Sequence, residues 1–141
     1  MVQYRVENDC ANINWDEVCC LLKEAGLATR TAALIKKAFT SSYCVAFVFD
    51  NAMLVGVGRA ISDGAYQAAI YDIAVLPSYQ GRQLGKLIVE ELHKTLRGFN
   101  VILYASPGKE EFYCKLGYRK MITGMAKFNN ESVMREKGFI E

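Results

Sequence analysis

The sequence predicts an α/β domain built on a mixed sheet, and three observations carry that reading. Residues 43–75 form three β-rich segments separated by the turn signals Asp50-Asn51 and Ser62-Asp63-Gly64. A helical stretch over 81–97 is followed by the apolar run 101–105, the order of a crossover helix and a parallel strand. Two amphipathic stretches precede the meander. The 141 residues are read as one domain, 1–141, large enough to bury a core without staples.

Residues 3–7 alternate as a short first strand. Asn14 then precedes WDEVCCLLKEAG, where Trp15, Val18, Cys19, Leu22 and Ala25 fall at helical spacing. Asn14 is the expected cap, Glu17 three residues on completes an Asn version of the capping box, and Gly26 is the stop. A second helix is expected from about Thr31 to Phe39, with Ala32, Ile35 and Phe39 on one face. The meander follows as strands over 43–49, 53–61 and 66–75. The helix over 81–97 carries Leu84, Leu87, Ile88 and Leu92 in its periodic rows and ends at Gly98. A strand over 101–105, a short helix over 109–116 stopped by Gly117, and a final hairpin of 118–121 and 125–129 complete the order. Residues 131–141 carry no clear pattern. That order is β-α-α-β-β-β-α-β-α-β-β.

Composition excludes several classes. With 17 basic and 15 acidic residues, the net charge of +2 does not suit a nucleic-acid protein held by bulk charge. The five cysteines are an odd number without a CxxC pair, and His93 is the lone histidine, so no Cys/His zinc site is expected and no metal is assigned. Free cysteines in a core suit a reducing compartment. The start MVQYRVEND has no apolar segment of signal type, and no run is long enough to span a bilayer. The expectation is a cytoplasmic protein without a membrane partner.

The segment from Tyr71 to Lys86, YDIAVLPSYQGRQLGK, is the functional signal. A buried strand stops at Pro77, a polar loop with two glycines follows, and a helix begins beside Arg82 and Lys86. Exposed N–H groups at a helix N-terminus favour phosphate. A P-loop needs GxxxxGK and then Ser or Thr, but Gly81 and Gly85 are too close and Leu87 follows Lys86. A dinucleotide fingerprint needs GxGxxG after the first strand, which is absent.

The stretch Val75-Leu-Pro-Ser-Tyr-Gln-Gly-Arg-Gln-Leu-Gly-Lys86 resembles motif A of the GNAT (Gcn5-related) N-acetyltransferases, whose signature is Gln/Arg-x-x-Gly-x-Gly/Ala. Phe112-Tyr-Cys-Lys-Leu-Gly-Tyr118 resembles the FYxKxGF motif of the same family, and a helix and a strand separate the two as that family requires. Gln83 stands where the signature has its first glycine. It is expected in helical φ/ψ with its side chain outward.

The resemblance implies the GNAT acyl-CoA N-acyltransferase fold, a mixed central sheet of six to seven strands flanked by about four helices. It implies acetyl-CoA as co-substrate, lying between the splayed strands 66–75 and 101–105. The backbone of Ile73, Ala74 and Val75 would pair with the pantetheine amides. Gln80, Gly81, Arg82, Gln83, Leu84, Gly85 and Lys86 would cradle the pyrophosphate, with Phe112 from the second motif also at the cofactor. The Val75 N–H is the donor expected at the thioester carbonyl. Tyr113 matches the family tyrosine that protonates the departing thiolate. Asp72 is the candidate for steering or deprotonating the amine, with Glu110 and Glu111 behind it. The acceptor is a small-molecule or peptide amine. A homodimer through the last hairpin is compatible with the chain. The alternative is a non-catalytic acyl-CoA-binding module, and Gln83 is its support.

Overall fold

The computed structural model describes residues 3–141. The chain divides into two compact units, one reaching to Leu103 and one of Tyr104–Glu141. No helix among the described residues is long and apolar enough to cross a membrane.

The first unit opens with strand β1 (Arg5–Glu7), then helices α1 (Trp15–Glu24) and α2 (Ala32–Thr40). Asn14 caps α1 as its sequence position demands: its Oδ1 accepts from the N–H groups of Asp16 and Glu17 at 3.0 and 3.2 Å. The expected return bond of the capping box is replaced. The Glu17 carboxylate instead accepts from the backbone N–H of Leu54 at 3.1 Å, tying α1 to the sheet. Thr31 caps α2 through its hydroxyl, which accepts from Leu34 N–H.

Strands β2 (Cys44–Asp50), β3 (Met53–Ser62) and β4 (Gln67–Val75) form the meander read from the sequence. Helix α3 (Leu84–Thr95) then crosses over to β5 (Asn100–Ile102). Strand order is β1-β2-β3-β4-β5, antiparallel except for the last pair. The expected strand over 101–105 is therefore shorter.

Alternating side chains send the sheet's two faces to different helices. On one face Val45, Phe47, Phe49, Leu54, Val57 and Ala74 pack with Val18, Leu21 and Leu22 of α1 and Ile35 and Phe39 of α2. On the other, Ala46, Val48, Val55, Ala60, Ala68 and Ile70 pack with Leu84, Ile88, Leu92 and Leu96. Gly58 lets α3 approach closely: a Cβ there would lie 2.5 Å from Ile88 Cγ2 and 2.6 Å from Ile73 Cδ1.

The second unit holds helices α4 (Glu110–Lys115) and α5 (Glu131–Glu136). Tyr104, Phe128 and Phe139 form an aromatic cluster, with Tyr104 centroids 5.6 and 5.8 Å from the other two. The expected hairpin of 118–121 and 125–129 does not form; these residues are irregular. The described residues hold five strands and five α-helices, in place of the six to seven strands and four helices expected. The alternation of YRKM and MAKFN suits strands, but a strand persists only where a neighbour satisfies its backbone, and neither segment pairs. The fifth helix, α5, is capped by Asn130, whose Oδ1 accepts from Val133 N–H at 3.3 Å.

Candidate active site

Strand β4 is regular against β3 except at one place. Val57 lies opposite Ala74 and Arg59 opposite Tyr71, so Asp72 and Ile73 together face Gly58. This is a β-bulge, and Asp72 occupies it with φ 58°, the left-handed conformation that Asp tolerates better than most residues. The extra residue shifts the alternation by one. Ile70 and Ile73 both pack on the α3 side, while Asp72 turns to Arg59. Without the bulge, the carboxylate would share Ile70's apolar face.

Arg59 Nε donates to Asp72 Oδ2 at 2.7 Å, with the two side chains only 17% and 19% exposed. The guanidinium carbon sits 5.7 Å from the Phe39 ring centroid and 5.3 Å from that of Tyr71, within cation–π range. Sequence reasoning missed Arg59. Its one signal was a single charge inside the apolar run LVGVGRAI.

Parallel pairing between β4 and β5 covers only Gln67 to Asn100, Ala68 to Val101 and Ala69 to Ile102. Past Ala69, no described strand pairs with that edge of β4. Leu76 N–H donates to Val55 O on the β3 side at 2.9 Å. Successive residues of a strand point their backbone groups to opposite sides. The Val75 N–H therefore faces away from β3, toward the edge that β5 does not reach. The Val75 carbonyl accepts from Gln80 Nε2 at 3.2 Å, which anchors the loop that follows.

That loop turns through a 3-10 segment, Pro77–Tyr79, and then Gly81 at φ 82°. Gln83 is the N-terminal flanking residue of α3 at φ 62°, ψ 23°. The expected helical conformation is thus corrected to a left-handed one. A motif glycine belongs here because left-handed backbone costs a side-chain-bearing residue about 1–2 kcal/mol. The Gln83 side chain makes no capping bond, and no acidic residue lies in the first turn. The first intrahelical bond of this end is Leu87 N–H to Gln83 O. The N–H groups of Leu84, Gly85 and Lys86 are thus left for an external acceptor. Gly81 has open space where a Cβ would stand. These features fit a diphosphate, with Lys86 exposed beside them.

Arg82 is held rather than loose. Its guanidinium lies 4.6 Å from the Tyr79 ring centroid, and its Nη1 is 3.4 Å from Tyr4 Oη. Tyr79 in turn donates its hydroxyl to Asp50 Oδ2 at 2.5 Å. That bond, with burial adding to it, raises the Tyr79 phenol above its ordinary pKa. Tyr79 and Asp50 were not singled out from the sequence, although Tyr79 directly precedes the motif's Gln80.

In the second unit, Tyr113 lies on α4, its ring 4.9 Å from Phe112 and 5.8 Å from Tyr118. Burial raises the Tyr113 phenol, and burial with the neighbouring Tyr113 pushes Tyr118 up to about 12. Glu110 is engaged locally: its carboxylate accepts the Gly108 N–H at 2.7 Å. Bonds from its own backbone N–H and from Gly108 hold it below the usual carboxylate value.

A mixed sheet whose parallel pair stops early, followed by a glycine loop and an uncapped helix, is the framework of an acetyltransferase domain. A family model, described as an acetyltransferase (GNAT) domain, matches residues 41–120, and the chain belongs to this family. It is 32% identical over 120 residues to ycf52, an uncharacterized N-acetyltransferase of Pyropia yezoensis, covering 83% of this chain and 64% of that one. It is 35% identical over 112 residues to the histone acetyltransferase TAP1 of Glycine max, covering 70% of this chain and 48% of the relative. The chain thus spans about half to two thirds of the length of these relatives. A crystal structure of a protein of unknown function from meticillin-resistant Staphylococcus aureus superposes with TM-score 0.81 at 28% identity, covering 91% of this chain and all of that one.

Proposed function

We propose that the protein is an acetyl-CoA-dependent N-acetyltransferase that delivers the acetyl group directly to a primary amine in a ternary complex. The observation that carries this reading is the uncapped N-terminus of α3, next to the stretch of β4 that β5 leaves unpaired. One end suits a diphosphate and the other suits an extended chain of amides. When bound, the thioester supplies an activated acyl carbon.

The chain's own groups then have distinct tasks. The N–H groups from Gly81 to Lys86, with the Arg82 and Lys86 side chains, hold the diphosphate. The backbone of Ile73, Ala74 and Val75 aligns the pantetheine arm. The Val75 N–H donates to the carbonyl oxygen as negative charge builds there. Tyr113 supplies the proton for the departing sulfur, and its buried phenol keeps that proton at neutral pH.

The acceptor is a small-molecule amine or an amine of a peptide, the latter in keeping with the histone named for the soybean relative. It must reach the carbonyl as the free amine. Arg59 engages Asp72 at Oδ2, and Oδ1 is the oxygen proposed to meet an ammonium. Asp72 thereby acts as a steering group for a cationic acceptor.

The test is a thiol-release assay with acetyl-CoA over arylalkylamines, polyamines, amino acids and peptides. CoA release with a cationic amine supports the proposal, and turnover of anionic acceptors alone sinks the role given to Asp72. The left-handed Gln83 favours a second reading, a non-catalytic acyl-CoA-binding module. Tight acetyl-CoA binding without release on any amine supports that reading instead.

A further inference from the structure

The phosphate loop is braced by a chain of four side chains on the first unit, Asp50, Tyr79, Arg82 and Tyr4. Asp50 ends β2, and its Oδ2 accepts the Tyr79 hydroxyl at 2.5 Å. The Tyr79 ring lies under the Arg82 guanidinium at 4.6 Å and meets Tyr4 edge-on, with ring centroids 6.4 Å apart and planes at 75°. Arg82 Nη1 approaches the Tyr4 hydroxyl at 3.4 Å. Asp50 and Tyr4 lie outside the strand–loop–helix motif, whereas Tyr79 and Arg82 belong to its loop.

The loop needs such a brace. It carries two left-handed residues, Gly81 and Gln83, within three positions. Backbone held in sparsely populated regions persists only where the surroundings over-determine it. Gln80 Nε2 on Val75 O fixes the start of the loop and the α3 ladder fixes its end. Between them, Tyr79 ties the loop to the end of β2 through Asp50, and Arg82 reaches Tyr4. The same ring sets the plane of Arg82. A guanidinium already stacked loses less freedom when it takes up a phosphoryl oxygen, and pre-organisation of this kind is realised as affinity.

We propose that Tyr79 and Asp50 are positioning residues for acetyl-CoA, holding Arg82 and the loop amides in their diphosphate-binding arrangement. This rests on the acetyl-CoA reading above. The pair acts on the grip of the co-substrate and not on the chemical step, so its loss is read in KM and Kd for acetyl-CoA with little change in kcat.

The experiment measures acetyl-CoA affinity by calorimetry, kinetics with the best amine of the panel, and melting temperature. The proteins are the intact chain and its Tyr79→Phe, Asp50→Ala and Asp50→Asn variants. Tyr79→Phe keeps the ring under Arg82 and deletes only the hydroxyl. It is expected to bind acetyl-CoA about tenfold more weakly, the loss of roughly one charge-assisted hydrogen bond. Its KM rises alike, with kcat within about twofold. Asp50→Ala matches it, and serves in its place if Tyr79→Phe does not fold. Asp50→Asn keeps an acceptor for the phenol and recovers most of the affinity. Equal affinity in Tyr79→Phe, Asp50→Ala and the unaltered chain overturns the inference alone. So does a fall in kcat with KM unchanged. Absence of acetyl-CoA binding by the unaltered chain overturns both this inference and the function it rests on.

Discussion

Arg59 and Asp72 meet across a β-bulge: the Nε–Oδ2 distance is 2.7 Å, and the bulge itself is what brings the carboxylate onto the arginine's face of the sheet. The pair is mostly buried, so removing one partner costs more than the pair contributes, because the survivor is left desolvated and uncompensated. Arg59→Met is expected to lower stability by about 2 kcal/mol, below the largest losses seen for fully buried pairs. Asp72→Asn keeps a residue that tolerates left-handed backbone and should cost less. Denaturant unfolding of both variants and the double variant checks this, and a coupling energy near zero refutes it. In turnover, Asp72→Asn should raise KM for a cationic amine while leaving acetyl-CoA affinity intact.

Gln83→Gly should make the protein more stable. Gln83 pays for a left-handed conformation that glycine adopts freely, against a modest gain of freedom for glycine in the unfolded chain. A net gain of about 0.5–1 kcal/mol raises the melting temperature by roughly 2–4 °C in a chain of this size. Acetyl-CoA should bind at least as tightly. A melting temperature below that of the unaltered chain is the contrary result.

Gly58→Ala tests the close approach of α3. Its added methyl would meet Ile88 and Ile73 at 2.5 and 2.6 Å, and both side chains are already packed. Overpacking of this kind costs about 1–3 kcal/mol. Gly56→Ala, where the nearest atom is Ile88 Cδ1 at 2.9 Å, should cost less. Chemical denaturation of the two variants gives the order.

The tyrosines of the second unit give a pH signature. Tyr118 is pushed up to about 12, above its unfolded value of about 10. The folded state therefore binds this proton more tightly. That contribution is complete below pH about 10 and is lost as the pH rises through about 12. Tyr118→Phe should flatten the alkaline loss of stability. Tyr113 shifts the same way, so its phenol imposes no basic limb on turnover near neutral pH. Tyr113→Phe should lower kcat about 100-fold with acetyl-CoA KM unchanged, the size of one general-acid contribution. Unimpaired transfer across the pH range removes Tyr113 from the mechanism.

Local signals were legible. The Asn14 cap, the α1 and α2 faces, the meander and the strand–loop–helix unit all follow from residues a few positions apart, although the helix of that unit begins at Leu84, three residues later than the expected Gly81, and ends at Thr95. What failed was non-local. Glu17 satisfied the spacing of a capping box, yet the Leu54 N–H on a strand 37 residues away claimed it. The segments 118–121 and 125–129 had strand-like alternation without a partner edge. Gln83 read as helical because nothing in its neighbours announces a left-handed residue, except that the family keeps glycine there. Arg59 and Asp72 are 13 residues apart and become partners only once the bulge is known. The short α5 was hidden by its six residues, though Asn130 before it was a readable cap.

The early end of β5 has a consequence beyond binding. Backbone groups of β4 past Ala69 are left without a strand on that side, and an extended ligand that pairs there finishes the sheet in the manner of an added strand. Whatever occupies that edge shifts the folding equilibrium by mass action, in proportion to the logarithm of its concentration over its Kd. Amide exchange at Ile73 and Val75 would then report the supply of thioester. A cell poor in that metabolite would hold a larger share of this chain open to proteolysis. On the acetyl-CoA function proposed above, the persistence of this chain becomes a gauge of its own co-substrate.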